Sequence, residues 1–139
     1  MSADLTPYLN FGGTAREAME YYASIFGGTP EVMTFGQGGM EGVDPDLVMH
    51  SSLEADNGFR IFGADAPPAM GPTPVAGNIT MSLSGDDEQA LTGYWQALSD
   101  GGTVRTPLAK APWGDSYGDL VDKFGIAWLA NITGAATEG

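Results

Sequence analysis

Ile25-Phe26-Gly27-Gly28-Thr29 closes the first helical stretch of the chain, and Leu98-Ser99-Asp100-Gly101-Gly102-Thr103 closes the second. The Gly-Gly-Thr signal returns after 74 residues in a chain of 139. A self-similar period of this kind decides the architecture before any single element is read.

Upstream of the first Gly-Gly pair, Ala15, Ala18, Met19, Tyr22, Ile25 and Phe26 recur at helical spacing. Thr14 and Glu17 make a capping box at the start of that helix. Leu5 to Phe11 reads as a strand before it, and Thr29 to Phe35 as a strand after it. Leu47 to Glu54 alternates as a strand. Asp56-Asn57-Gly58 is a hairpin turn, and Phe59 to Gly63 returns as the partner. The second half repeats this plan. Gly77 to Ser84 is a strand. Asp86 and Gln89 frame a helix whose stripe is Leu91, Tyr94, Trp95 and Leu98. Thr103 to Thr106 and Ser116 to Val121 follow as strands. Asp122-Lys123-Phe124-Gly125 turns into a last strand, Ile126 to Ile132. The order is βαβββ twice, an α+β chain read as a single domain of two repeats, about 5–66 and 77–132. A Pro-rich linker, 66–76, joins them.

The composition excludes whole classes of function. Five Lys and Arg against 18 Asp and Glu leave a net charge of −13. That field repels phosphate backbones, so nucleic acid is not an expected partner. There is no cysteine and one histidine. Disulfides, zinc-thiolate sites and Cys nucleophiles are excluded, as is any site needing two imidazoles from one subunit. No apolar run approaches the roughly 20 residues of a membrane span, and no signal peptide is evident at Met1-Ser2-Ala3-Asp4. The expectation is a cytoplasmic protein.

The duplicated order resembles the vicinal oxygen chelate superfamily, which includes glyoxalase I, bleomycin resistance proteins and extradiol dioxygenases. Within it, the chain is most similar to the PhnB-like branch, also labelled 3-demethylubiquinone methyltransferase-like. The residues that carry the likeness are Thr6-Pro7-Tyr8-Leu9 with Phe11, Ala15-Arg16-Glu17-Ala18 with Tyr21-Tyr22, and Ile25-Phe26-Gly27-Gly28. In the second half they are Leu98 with Gly101-Gly102-Thr103-Val104, Trp113-Gly114-Asp115 with Tyr117-Gly118, and Asp122-Lys123-Phe124-Gly125 with Trp128. The resemblance implies two βαβββ modules whose curled mixed sheets surround a ligand cavity. It also implies a homodimer.

The metal-dependent members of that superfamily take His and Glu ligands from the first, fourth, fifth and last strands. Those places here offer Thr6, Pro7, Tyr8 and Asn10; Phe59, Arg60 and Phe62; Asn78; and Ala127, Trp128, Leu129 and Asn131. A divalent cation needs about three anionic or imidazole ligands. No metal and no other cofactor is expected.

His50 is the sole imidazole and the best candidate for proton transfer, though a strand histidine can also serve structure alone. Alternation places it with Val48, Ser52 and Glu54, away from Leu47, Met49 and Leu53. Asn78, Thr80 and Ser82 form a polar strip opposite Ile79, Met81 and Leu83. Trp113-Gly114-Asp115-Ser116-Tyr117-Gly118 is the most ligand-like loop, with rings for contact and a carboxylate for charge. Arg60 either binds an anionic group or pairs with Glu54 across the hairpin. The Gly-rich loop Gly36 to Gly42 lacks the Lys-Ser/Thr of a phosphate cradle and reads as a lid or dimer contact. Tyr21, Tyr22, Tyr94 and Trp95 read as packing.

Three functions are open at this level. The first is a metal-free small-molecule-binding protein using Tyr8, Asn10, His50, Arg60, Asn78, Trp113, Asp115, Tyr117 and Trp128. The second is a lyase- or dioxygenase-like enzyme with His50 as proton-transfer group and Asp115 as its partner. The third is a drug-sequestering resistance protein, for which −13 would attract a cationic drug.

Overall fold

The computed structural model describes residues 3–66 and 79–134. The Pro-rich linker lies outside those residues except for Ala66, as does Asn78. The chain divides into two compact units, Met1–Pro74 and Val75–Gly139.

In the first unit β1 (Tyr8–Phe11) leads to α1 (Ala15–Phe26), then β2 (Glu31–Thr34), β3 (Val48–Glu54) and β4 (Arg60–Asp65). The sheet order is β1-β4-β3-β2, with β1 parallel to β4 and the other pairs antiparallel. The second unit repeats this with β5 (Met81–Gly85), α2 (Glu88–Ser99), β6 (Thr103–Lys110), β7 (Ser116–Val121) and β8 (Ala127–Ile132). Its order is β5-β8-β7-β6, with the same directions. Each unit is a four-stranded mixed sheet carrying one helix, with open edges at its outer strands.

Each helix packs on one face of its own sheet. Ala15, Ala18, Met19, Tyr22 and Phe26 of α1 are buried, as are Leu9, Phe11, Ser51, Leu53 and Ile61 of the strands. Gly63 lets α1 approach closely: a Cβ there would lie 3.1 Å from the Met19 sulfur. In the second unit Leu91, Trp95 and Leu98 meet Leu83, Leu120, Trp128, Ala130 and Ile132, all buried. In β7, Gly118 is also closely packed: a Cβ there would lie 2.8 Å from both the Trp95 ring and the Leu108 backbone.

The repeated Gly-Gly has a structural cause. A Cβ at Gly28 would run into the Glu54 carbonyl at the end of β3. One at Gly102 would lie 2.5 Å from the Val121 carbonyl at the end of β7. The helix-to-strand turn of each unit therefore presses backbone against the third strand of its module, and only glycine fits.

Several expectations change. The capping box is not made: Thr14 contributes no side-chain cap to α1. Asp65 takes that role, accepting from the Gly13 and Ala15 amides on Oδ1 and from the Val48 amide on Oδ2. In α2 the cap is Asp87, which accepts from the Ala90 amide, not Asp86. Val48 is buried although alternation groups it with His50. The register shifts between Met33 and Thr34, so His50 faces Met33 while Val48 faces Thr34. Ile79 lies before β5 and is exposed, not packed beside Leu83. The first strand begins at Tyr8, leaving Leu5 fully exposed. The strand expected over Thr103 to Thr106 runs on to Lys110 through Pro107, which the sheet edge tolerates.

Candidate functional site

The face of the first sheet away from α1 carries a cluster of polar and aromatic side chains: Tyr8, His50, Arg60 and Phe62. Tyr8 pairs with Phe62 across β1 and β4, and Phe62 pairs with Ser52 of β3. Strand alternation puts Arg60 beside Phe62, and His50 beside Ser52, on this same face. The Tyr8 hydroxyl reaches the Nδ1 atom of His50 at 3.1 Å. Phe62 stands at the centre, with its ring centroid 5.3 Å from that of His50 and 6.2 Å from that of Tyr8, both edge-on. The Arg60 guanidinium lies 5.9 Å from the same centroid. Tyr8 is 45% exposed, and His50 and Phe62 are half-buried, so the group is open to a ligand. Where the phenol donates to Nδ1, the ring proton sits on Nε2 and presents a further donor; where the imidazole donates from Nδ1, Nε2 is an acceptor.

Arg60 does not pair with Glu54, although the two stand opposite each other in the β3–β4 ladder. Its partner is Asp4, at 3.6 Å, in the segment before β1. Asn10 is exposed two residues along β1 from Tyr8.

In the second unit the loop before β7 is organised by Asp115. Its Oδ1 accepts from the Gly134 amide and its Oδ2 from the Asn131 side chain, both at 3.1 Å. The Gly134 amide, then the Asn131 side chain, hold the Asp115 carboxyl below the usual aspartate range; burial opposes them, and Trp113 adds a smaller lowering effect. Trp113 is 64% exposed and meets Tyr117 edge-on at 6.4 Å. The hydrogen-bond partner of His50 is thus Tyr8, and Asp115 is engaged with its own loop and β8. Asp119, two residues along β7 from Tyr117, has a buried Oδ1 with no hydrogen-bond partner.

Trp128 lies on the helix side of the second sheet, in strand β8. It is 2% exposed and donates its indole N–H to Asp122 at 2.9 Å. Asp122 also accepts from the Phe124 and Ile126 amides, closing the β7–β8 turn. Trp128 therefore supports the core of its unit. From sequence, Phe62 and Asn131 stand at positions where metal ligands are missing and are not among the ligand-binding candidates. Alternation with Arg60 on one strand was the available signal for Phe62, whereas Asn131 matters only because a distant loop brings Asp115 to it.

A sequence profile of the 3-demethylubiquinone-9 3-methyltransferase family matches residues 3–130. The chain belongs to that family. Protein PA1353 of Pseudomonas aeruginosa, a solved structure, is 33% identical, with a TM-score of 0.85 over 96% of this chain and 100% of that one. A Bacillus cereus PhnB protein, described as a putative 3-demethylubiquinone-9 3-methyltransferase, superposes with a TM-score of 0.76 at 22% identity, over 94% of this chain and all of that one. A glyoxylase/bleomycin resistance protein/dioxygenase domain from Frankia sp. EAN1pec shares the fold at a TM-score of 0.65 and 14% identity, over 99% and 96% of the two chains. The PhnB-like family thus has the glyoxalase/bleomycin resistance-like fold seen here in two βαβββ modules.

The metal of that superfamily does not suit the donors of this family member. On the ligand-bearing strands, the larger and polar side chains away from the helices are Tyr8, Asn10, Arg60 and Phe62 in the first unit and Ser82, Ser84, Leu129 and Asn131 in the second. Two are apolar, one is cationic, and none is a carboxylate or imidazole. Among the described residues no three His, Asp or Glu side chains gather as a metal set.

Proposed function

We propose that this protein binds a small organic molecule on the open face of its first sheet, without a catalytic metal. The Tyr8–His50 hydrogen bond against Phe62 carries the reading. Aromatic edges give contact area at low entropic cost, and a bridged phenol–imidazole pair gives directional recognition. In the other unit, exposed Trp113 on the Asp115-anchored loop and half-buried Tyr117 of β7 form a separate aromatic surface that can hold a small molecule. A homodimer is part of the same proposal.

Methyl transfer, the activity in the family's name, is not part of it. The β1–α1 connection reads Gly12-Gly13-Thr14, not the Gly-x-Gly turn of a strand–helix nucleotide site. Each sheet is mixed and four-stranded, unlike a doubly wound parallel sheet. Calorimetry with S-adenosylmethionine should show no binding; micromolar affinity would reverse this judgement.

The direct test is native mass spectrometry of gently purified protein, joined to the NMR signal of the single imidazole. An organic adduct whose release shifts the His50 ring protons supports the site. A bound divalent ion overturns the metal-free reading, and an adduct whose loss leaves His50 unmoved overturns the location.

A further inference from the structure

Arg60 is one of only five cationic side chains in a chain of net charge −13. Its placement is unusual for such a residue. The carboxylate facing it across the ladder, Glu54, is left aside, and the guanidinium lies over Phe62 beside the phenol–imidazole pair. The anion it does hold belongs to Asp4, which precedes β1. Asp4 is 61% exposed and Leu5 beyond it is fully exposed, so this part of the arm is lightly held. Its backbone joins the sheet at Pro7, whose carbonyl accepts from the Phe62 amide. An exposed ion pair of this kind contributes little to stability. A ligand with a better-placed acidic group can displace it.

We propose that Arg60 anchors the acidic head of the ligand, that the ligand is a small organic carboxylate with a flat apolar body, and that Asp4 is the intramolecular stand-in displaced on binding. This rests on the site assigned above and adds the chemical class of its occupant. The body of the ligand lies against Phe62, whose ring centroid the guanidinium carbon already approaches to 5.9 Å. The carboxylate takes the forked N–H groups of Arg60, a geometry that a planar oxyanion matches in two parallel hydrogen bonds. The Nε2 atom of His50, on the side of the ring away from the Tyr8 hydrogen bond, is left for a polar group elsewhere on the ligand. The strongly acidic chain makes such a local anchor necessary, because the overall field opposes an anion's approach.

The test uses phenylacetate and its neutral isostere phenylacetamide, titrated into the full chain. Calorimetry gives affinity, and the single imidazole reports whether the probe reaches the face. The wild type should prefer phenylacetate. Arg60→Gln should weaken phenylacetate by about tenfold or more and leave phenylacetamide unchanged, which also shows that the variant is folded. Arg60→Lys should keep part of the preference through its charge. Asp4→Asn should tighten phenylacetate by about two- to fivefold, the factor expected on removing an exposed ion pair that competes. The proposal falls if Arg60→Gln leaves the ratio of the two probes unchanged, or if Asp4→Asn fails to tighten phenylacetate. If neither probe moves the imidazole of the wild type, the face itself is wrong, and the binding function assigned to it falls as well.

Discussion

The carboxylate of Asp65, the last residue of β4, holds the amide of Ala15 at the start of α1 at 3.0 Å, across 50 residues of chain. The same side chain holds the first residue of β3 through Val48. One buried acceptor thus joins the beginning of the helix, the beginning of the third strand and the end of the fourth. Hydrogen bonds to a charged group are the stronger kind, and buried donors left without one are costly.

Asp65→Ala should therefore destabilise the first unit by about 3 kcal/mol, since it orphans three amides and empties a buried position. Thr14→Ala should cost less than about 0.5 kcal/mol, because Thr14 makes no cap. Chemical denaturation of the two variants checks the contrast. An equal loss at both positions would return the cap to Thr14.

The paired glycines divide into essential and dispensable positions. Gly28→Ala and Gly102→Ala drive a methyl group into a backbone carbonyl, which cannot swing aside as a side chain can. Each should lose about 2 kcal/mol or more. Gly93 lies inside α2, and a Cβ there meets nothing within 4 Å. Gly93→Ala should stabilise by about 0.5–1 kcal/mol. Thermal melts of the three single variants decide it.

Asp115 predicts a pH dependence with a definite sign. Its folded carboxyl is held below the ordinary value of 3.8, chiefly by the Gly134 amide. A depressed carboxyl contributes stability above its unfolded pKa and loses it as pH falls through the folded one. Asp115→Asn should thus be less stable than the wild type near neutral pH. The gap should close as pH drops through 3.8 and below. Melting curves of both proteins across that range provide the measurement, and a gap that persists in acid would refute the assignment.

Tyr8→Phe removes the partner of His50 Nδ1 while keeping the ring against Phe62. Stability should fall by no more than about 1 kcal/mol. The imidazole nitrogen shifts should instead report more of the Nδ1-protonated tautomer, once the phenol no longer donates there. A change toward the Nε2 form would show that the imidazole is the donor.

The linear pattern was enough to place the two helices, the βαβββ duplication, the Asp56-Asn57-Gly58 turn and the strand Ser116–Val121. Each of these depends on neighbours a few residues away: helical spacing, alternation, and glycine where the chain must turn. His50, Tyr8 and Arg60 were also legible as candidates, because polar groups on a half-apolar strand stand out against its period. Their partners were not. Pairing Arg60 with Asp4 in place of Glu54 depends on the path of the arm before β1. Capping α1 with Asp65 in place of Thr14 depends on β1 lying parallel to β4. Burying Val48 beside an open His50 depends on a single register shift against β2. Local pattern determined which elements form and, away from the register shift at Val48, which face most strand residues take. The hydrogen-bond and charge partners were decided by long-range strand pairing, because a buried donor or acceptor takes whichever group the closed structure brings within about 3 Å, however far away it lies in sequence.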